Sequence, residues 1–579
     1  MIKVENLSYS FPQKDLYDKI SFTLEDGQHC AFIGSSGSGK STLVDILMNP
    51  EKHLFDGKLE IDPNCIIGYL SQFSQLDDAK EITVIDYIGK EFYRLQNELT
   101  VICAEMETSA DTDSLLEKYQ QALDAFDAID GDNFESNIKR KLNLADLLKH
   151  KDLKVSDLSG GEFKLIQTIK IMLTNPDLII MDEPEVFLDF ENLNALKNLI
   201  NSYKGIMLVI THNRYLLNQC FNKIIHLENM QLEEFDGRYI DYNFALLQRK
   251  IELLELASAD TEEIERNEKL IDRLRFIATN NAEAASGKSL HARVKFQERL
   301  EARRIPAPFV EVKEPDISFV AENKIEESIA LKVENYSVSF DDILLENVSF
   351  EIKSTDKVAL IGSNGTGKTT LLREIYENKQ PSIEINKDVE VAYLSQLQGE
   401  TLNESNTIRE EFSYTGYETR EEIGLYISSY GFDPDVINQK IGTFSGGERN
   451  ILQLAKISSG KAGLLLLDEP TSHLDIHSQL ALEKAIINYN GAILMISHDF
   501  HSIVNCMDYV LMIENKTIRK MSMRKFRKMI YANYFDRDYL EIEQKKISIE
   551  TKIALALKNK DFTLAKLLSE ELEAQIKLL

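Results

Sequence analysis

The chain has 579 residues, 43% hydrophobic and 28% charged, the balance of a water-soluble globular protein long enough for several domains. No apolar run approaches the roughly 18 residues needed to span a bilayer, no basic stretch with an apolar core opens the chain, and five scattered cysteines form no C-x-x-C pair. These features speak against a membrane span, a secretory leader, a disulfide framework and a zinc or iron–sulfur site, and for a reducing, cytoplasmic location; the net charge of −29 repels nucleic acid, so contact with a polyanion needs a local basic patch.

In chain order, an apolar strand, CAFI, leads into GSSGSGKST at Gly34–Thr42 and then a helix, TLVDILM. YLSQ follows at Tyr69–Gln72. A helical hairpin is expected at about 89–130, where turn residues SADTDS separate two helical stretches. LSGGE at Leu158–Glu162, LIIMDEP at Leu178–Pro184 and an apolar strand running to His212 complete a first segment, 1–243. Residues 244–305 read as a second helical hairpin of coiled-coil character: Leu247, Ile251 and Leu254, then Ile264, Ile271 and Leu274, fall at helical spacing. An acidic, proline-containing connector follows at 306–327. From 328 to 530 the motifs return, as GSNGTGKTT at Gly362–Thr370, YLSQ at Tyr393–Gln396, FSGGE at Phe444–Glu448, LLLLDEP at Leu464–Pro470 and ISH at Ile496–His498. The C-terminal 531–579 reads as helical, broken at Asn559–Asp561, with a stripe of Leu564, Leu568, Leu572 and Ile576 expected to pack on a partner helix.

The spacing between copies is informative. It is 328 from Lys40 to Lys368 and 324 from Gln72 to Gln396, but 286 from Ser159 to Ser445, Asp182 to Asp468 and His212 to His498. The first copy therefore holds 38 extra residues between Gln72 and Ser159, beginning after about Ile88.

Both glycine-rich segments have the P-loop spacing G-x4-G-K-[ST]. Gly34, Ser35, Gly37, Ser38, Gly39, Lys40, Ser41 and Thr42 form one. Gly362, Ser363, Gly365, Thr366, Gly367, Lys368, Thr369 and Thr370 form the other. Glycines let backbone N–H groups close around phosphate oxygens, the lysine neutralises β/γ charge, and Ser41 or Thr369 offers a hydroxyl to Mg²⁺. Asp182 and Asp468 end apolar strands, where a carboxylate can hold Mg²⁺ through water. Glu183 and Glu469 come next and can polarise the attacking water. His212 and His498 can contact the γ-phosphate and position that glutamate.

These two segments resemble ATP-binding cassettes of the ABC superfamily, whose SGGE signature separates them from other P-loop ATPases. The resemblance implies an α/β fold. Two tandem P-loop ABC ATPase domains would carry a helical arm insertion, a helical-hairpin linker and a C-terminal helical extension. It also implies head-to-tail pairing, each ATP lying on one P-loop and under the other cassette's signature. Lys40, Gln72, Asp182, Glu183 and His212 then work with Ser445, Gly446 and Gly447; Lys368, Gln396, Asp468, Glu469 and His498 work with Ser159, Gly160 and Gly161. Gln72 and Gln396 join the Mg²⁺ ligands, and Phe11 and Phe340 stand where the family places an aromatic under adenine. One departure stands out: TSHLD follows Pro470 as the family expects, but EVFLD follows Pro184, which puts the contacts across the interface there in doubt.

Tandem cassettes with a helical linker and no membrane domain resemble the ABC-F translation factors. In that family the arm reaches the large ribosomal subunit near the uL1 stalk, and the linker reaches toward the P-site tRNA and peptidyl-transferase centre. From Arg273 to Arg304 the linker carries eight Lys/Arg (Arg273, Arg275, Lys288, Arg293, Lys295, Arg299, Arg303, Arg304) against Glu283, Glu298 and Glu301, a net +5 within a −29 chain. Such a prong can neutralise rRNA phosphates while the acidic body stays clear. The expected protein is a monomer with intramolecular cassette pairing that modulates translation. Ribosome protection against antibiotics stands as an alternative, and the ATPase subunit of an importer as another. A DNA-repair or recycling ATPase would need zinc or iron–sulfur cysteines.

Overall fold

The computed structural model describes residues 2–578 outside 12–13, 73–80, 109–111, 257, 259–270, 272–313, 322–327, 341, 397–398, 400, 414, 418 and 535–538. The described residues divide into two compact units, Met1–Asp236 with Lys313–Ile530, and Gly237–Val312 with Tyr531–Leu579.

In the first unit each sequence repeat builds the same mixed α/β body. The first contains a six-stranded sheet in the order Ile67–Leu70, Leu178–Asp182, Ile206–Ile210, His29–Ile33, Lys223–Glu228, Gln231–Asp236. Its strands are parallel except the last, an antiparallel edge. The second repeats this order with Val391–Leu394, Leu464–Asp468, Ala492–Ile496, Lys357–Ile361, Tyr509–Glu514 and Thr517–Ser522. Leu178–Asp182 and Ile206–Ile210 are buried along their whole length, as are Leu464–Asp468 and Ala492–Ile496. Their unbroken apolar sequences suit the centre of a parallel sheet covered on both faces. A three-stranded antiparallel sheet adjoins each body: Lys14–Leu24, Ile2–Phe11, Asp56–Ile61 in one, Ile343–Lys353, Ile329–Ser339, Ile383–Ile385 in the other.

The extra residues of the first repeat fold as two helices packed together, Val84–Thr108 and Thr112–Ala128. The first starts ahead of the insertion and ties it down: Phe92 stacks on Phe126 at 5.5 Å and on Phe134 at 4.6 Å between ring centroids. In the second unit, residues 239–256 are helical, and helices Tyr539–Lys558 and Phe562–Ile576 pack around Ile240, Ile251, Ile549, Ile553, Leu568, Leu572 and Ile576. The C-terminal stripe thus packs against the start of the linker as well as its neighbour helix. Leu564 departs from the expected stripe, being 43% exposed in the first turn, where Asp561 caps the helix. The basic residues Arg273–Arg304 and most of the linker hairpin lie outside the described residues.

A buried ion group crosses between the two cassettes. The Arg214 guanidinium, at the start of helix Arg214–Cys220, donates through Nη2 to Glu483 and, at 2.9 Å, to Asp499. Ser502 Oγ lies between the two carboxylates, 2.6 Å from Asp499 and 2.9 Å from Glu483, and its single proton serves one of them at a time. Removing one member of a buried pair leaves the other charge uncompensated. Arg214→Ala is therefore expected to destabilise the paired cassettes by about 3–5 kcal/mol, read as a lowered urea midpoint; exposed pairs such as Arg94–Glu91 should shift it by less than about 1 kcal/mol when broken.

Candidate active site

The P-loops sit where a central strand turns into a helix. His29–Ile33 leads to Lys40–Met48, and Lys357–Ile361 leads to Lys368–Glu377. Gly39 and Gly367 precede these helices with φ of 102° and 89°, the left-handed region glycine adopts without penalty. A β-carbon at Gly39 would also come within 2.8 Å of the Tyr17 hydroxyl, which donates to Gly39 O at 2.5 Å. Sequence reading passed over Tyr17: its counterpart in the second copy is a leucine, so repeat comparison gave no signal.

Each P-loop lysine folds back on its own loop. Lys40 Nζ donates to Gly34 O and Ser35 O, both at 2.9 Å. Lys368 Nζ donates to Gly362 O at 2.7 Å and Ser363 O at 2.9 Å. Burial pushes both ammonium groups below their ordinary pKa, while nearby carboxylates act the other way. A buried cation hydrogen-bonded to backbone carbonyls suits an arriving polyanion.

Beside the lysines stand the expected carboxylates. Ser41 Oγ donates to Asp182 Oδ2 at 3.1 Å. Burial and the neighbouring Glu183 push Asp182 up to about 6, and a divalent cation would restore its charge. Glu183 and Glu469 both adopt left-handed backbone, φ 44° and 50°, a conformation that costs a non-glycine residue free energy and clusters at functional sites. Burial and the charge of Asp468 push Glu469 up to about 8. Burial acts to raise Glu183 too, but a hydrogen bond and charge from His473, with His212 and Lys40, bring it down to about 2. His212 and His498 are buried and lowered, to about 4 and about 3, by burial and by the adjacent lysine.

The two cassettes meet over these loops. Ser36 N, in the first P-loop, donates to Asp475 Oδ2 of the second cassette at 2.8 Å, and a β-carbon at Gly447 would fall 2.6 Å from Ser36 Oγ. The second signature therefore abuts the first P-loop. In reverse, Asn364 N donates to Asp189 Oδ2 at 3.0 Å and Asn364 Nδ2 to Phe187 O at 2.8 Å. The EVFLD departure thus keeps the cross-interface contact, because Asp189 and a backbone carbonyl supply it. Ser159 and Ser445 each cap the signature helix behind them in a capping box with Glu162 and Glu448, so the first-turn amides, including those of Gly160, Gly161, Gly446 and Gly447, sit at a helix N-terminus suited to an anion. A cavity of about 600 Å³ brings Ser159, Gly160 and Gly161 together with Gly365, Gly367, Lys368, Thr369, Thr370, Gln396, Asp468, Glu469 and His498.

Phe11 and Phe340 lie at or just beyond the ends of Ile2–Phe11 and Ile329–Ser339, 48% and 71% exposed. Phe11 packs edge-on to Tyr9 at 5.4 Å. Both rings leave a face open to a base. Gln72 does not point into solvent: its Nε2 donates to Glu183 Oε2 at 2.6 Å. His473 Nδ1 reaches the same oxygen at 2.9 Å. His473 was missed on sequence, although the contrast of TSHLD with EVFLD pointed at its position.

A family model described as ABC transporter matches residues 17–186 and 345–472. The chain is 28% identical over 512 residues to the "Uncharacterized ABC transporter ATP-binding protein YfmM" of Bacillus subtilis, covering 86% of this chain and 95% of that protein. It is 29% identical over 513 residues to the "Energy-dependent translational throttle protein EttA" of Escherichia coli K12, covering 84% of this chain and 87% of that protein. Among solved structures, an RNase-L inhibitor aligns with TM-score 0.55 at 16% identity over 91% of this chain and 93% of that one, a likeness of fold.

Lys40→Ala and Lys368→Ala are each expected to weaken ATP binding at their own site by roughly ten- to a hundredfold, the value of a charge-assisted contact, and to leave the other site able to bind. Equilibrium dialysis of the single and double variants separates the two sites.

Proposed function

The chain belongs to the ABC transporter family, two of whose cassettes it joins on one polypeptide, and from that premise we propose that it is an ABC-F-type factor that binds the ribosome with its cassettes closed on ATP and leaves when hydrolysis parts them. It is an ATPase homologous to EttA. The observation that carries the switch is the composition of each phosphate site. One cassette supplies a buried lysine, and the other supplies a helix N-terminus and a loop aspartate to the same place. A triphosphate compensates charge on both halves and holds them together; loss of the γ-phosphate removes the group that both halves grip.

Mg²⁺ would be held by Ser41, Gln72 and Asp182 in one site and by Thr369, Gln396 and Asp468 in the other, and when bound it neutralises phosphate charge. Among the described residues no trio of His, Cys, Asp and Glu could hold a metal ion alone, which suits a cation whose shell is completed by phosphate oxygens. Glu183 and Glu469 accept the proton of the attacking water. His212 and His498 stay neutral in their buried positions and can donate to the γ-phosphate.

The ribosome enters from EttA, which is named as a translational throttle, and from the charge of the surface. From Lys516 to Lys528 the second cassette carries Lys516, Arg519, Lys520, Arg524, Lys525, Arg527 and Lys528 with no acidic residue. The equivalent stretch of the first copy, 230–242, carries Glu233, Glu234, Asp236 and Asp241 against Arg238. Arg519, Lys520, Arg524, Lys525 and Lys528 are exposed while Met521 and Phe526 are buried beneath them. A cationic face without exposed large apolar groups suits phosphates rather than a lipid interior. It supplements the basic linker residues read from sequence, which contact rRNA and the P-site tRNA in this reading. No described helix is long and apolar enough to cross a membrane, and a factor of this kind works in the cytoplasm. The helical insertion Val84–Thr108 and Thr112–Ala128 favours ordinary translation over antibiotic protection as its setting.

Glu183→Gln with Glu469→Gln is expected to co-sediment with ribosomes when ATP is present; free protein in the supernatant overturns the proposal. Replacing Arg519, Lys520, Arg524 and Lys525 with Glu in that background should weaken binding and flatten its dependence on salt, measured by sedimentation across a potassium chloride series.

A further inference from the structure

The repeat supplies its own control, since the same structural position can be read twice at a spacing of 286. His473 and Phe187 are such a pair, and both adopt left-handed backbone, φ 61° and 69°. Each lies in the loop that crosses to the opposite cassette's phosphate site. There the likeness ends. His473 Nδ1 stands 2.9 Å from Glu183 Oε2, and Gln72 Nε2 stands 2.6 Å from the same oxygen. Phe187 has no side-chain donor to offer Glu469, and 46% of it is exposed.

Two more substitutions interlock with this one. Glu469 is held within its own cassette: its Oε2 accepts from His498 N at 3.3 Å, and His498 Nε2 lies 3.5 Å from Oε1. In the first cassette that place is taken by Glu185, the counterpart of Thr471. Glu185 Oε1 accepts from Thr211 Oγ1 at 2.6 Å and from His212 N at 3.0 Å. Glu183, displaced from its own histidine's amide, turns to the other cassette. Both of its donors converge on Oε2, and among the described residues Oε1 carries no hydrogen bond.

We propose that His473 is a positioning residue, supplied across the interface, for hydrolysis at the site on the first P-loop. In the tautomer protonated at Nδ1, which also stands 2.9 Å from Gln72 Nε2, the N–H of His473 and that of Gln72 fix the plane of the Glu183 carboxylate, which leaves Oε1 to receive the water proton. The water oxygen bonds to the γ-phosphorus, the bond from that phosphorus to the β–γ bridging oxygen breaks, ADP leaves, and the proton passes from Glu183 to the departing phosphate. Because His473 comes from the opposite cassette, this site is completed only when the two halves are closed. Among the described residues, the site on the second P-loop, facing Phe187, has no such partner. The two sites therefore turn over at unequal rates, and the first is the one coupled to closure.

This inference rests on the shared-site reading, and the test keeps the two apart. ATP turnover is measured without ribosomes for His473→Phe and His473→Asn, in the wild type and in Glu469→Gln, where only the first site retains its glutamate. Phe187 shows that the loop backbone accommodates phenylalanine at φ 69°, and thermal unfolding of His473→Phe beside the wild type checks that the fold is kept. The expected result for His473→Phe is a kcat lower by roughly tenfold or more with KM for ATP unchanged, since His473 touches the glutamate, and partial recovery in His473→Asn, which keeps an N–H donor. Unchanged or faster turnover in His473→Phe, or a raised KM with kcat intact, overturns the proposal. Glu183→Gln with Glu469→Gln separates the failures: residual full turnover there would refute the glutamate assignment itself, whereas a silent double variant beside an unimpaired His473→Phe refutes only the role of His473.

Discussion

Two buried ammonium groups, whose hydrogen bonds among the described residues go to backbone carbonyls, are the constraint around which the rest of this protein is arranged. Lys40 and Lys368 open the helices that follow central parallel strands, just after glycine-rich loops. A charge in that position is costly until an anion arrives. The architecture turns this cost into a signal, because the opposite wall of each site belongs to the other half of the chain. In the proposed function, occupancy sets the posture of the two cassettes.

The two halves are copies in fold and not in chemistry. The first cassette exchanges a threonine for Glu185 and a histidine for Phe187, and the second keeps both small and basic options. Buried beside His212, Glu185 is pushed up to about 7 by desolvation, so a carboxyl group there occupies a polar slot without a full charge. The ion group of Arg214, Glu483 and Asp499 is likewise one-sided. Such differences between copies indicate specialised halves, one tied more closely to the state of the interface.

Much of this was legible in the residues themselves. Two sets of motifs in the same order identified the cassettes, and the change of spacing located the insertion, in a stretch that holds the helices 84–108 and 112–128. Side chains that act through the chain's own motifs, such as Lys40, Asp182 and Glu183, were readable because their spacing is set by local strand and loop geometry. Contacts between the halves were harder. His473 lies 290 residues from the glutamate it meets, and no local period records that. Tyr17 and Arg214 were invisible for the same reason: their partners are fixed by how elements pack, and their counterparts in the other copy are different residues. The charge inversion at 516–528 was present in the sequence, but it becomes meaningful only once Gln231–Asp236 and Thr517–Ser522 are seen to be the same edge strand.

The claim that each ATP is held between opposite cassettes is tested most directly by photolabelling with azido-ATP after Ser445→Arg, which blocks the signature of the second cassette alone. The account predicts loss of label from the peptide containing Lys40, with labelling near Lys368 retained. Loss near Lys368 with the Lys40 peptide still labelled would contradict it.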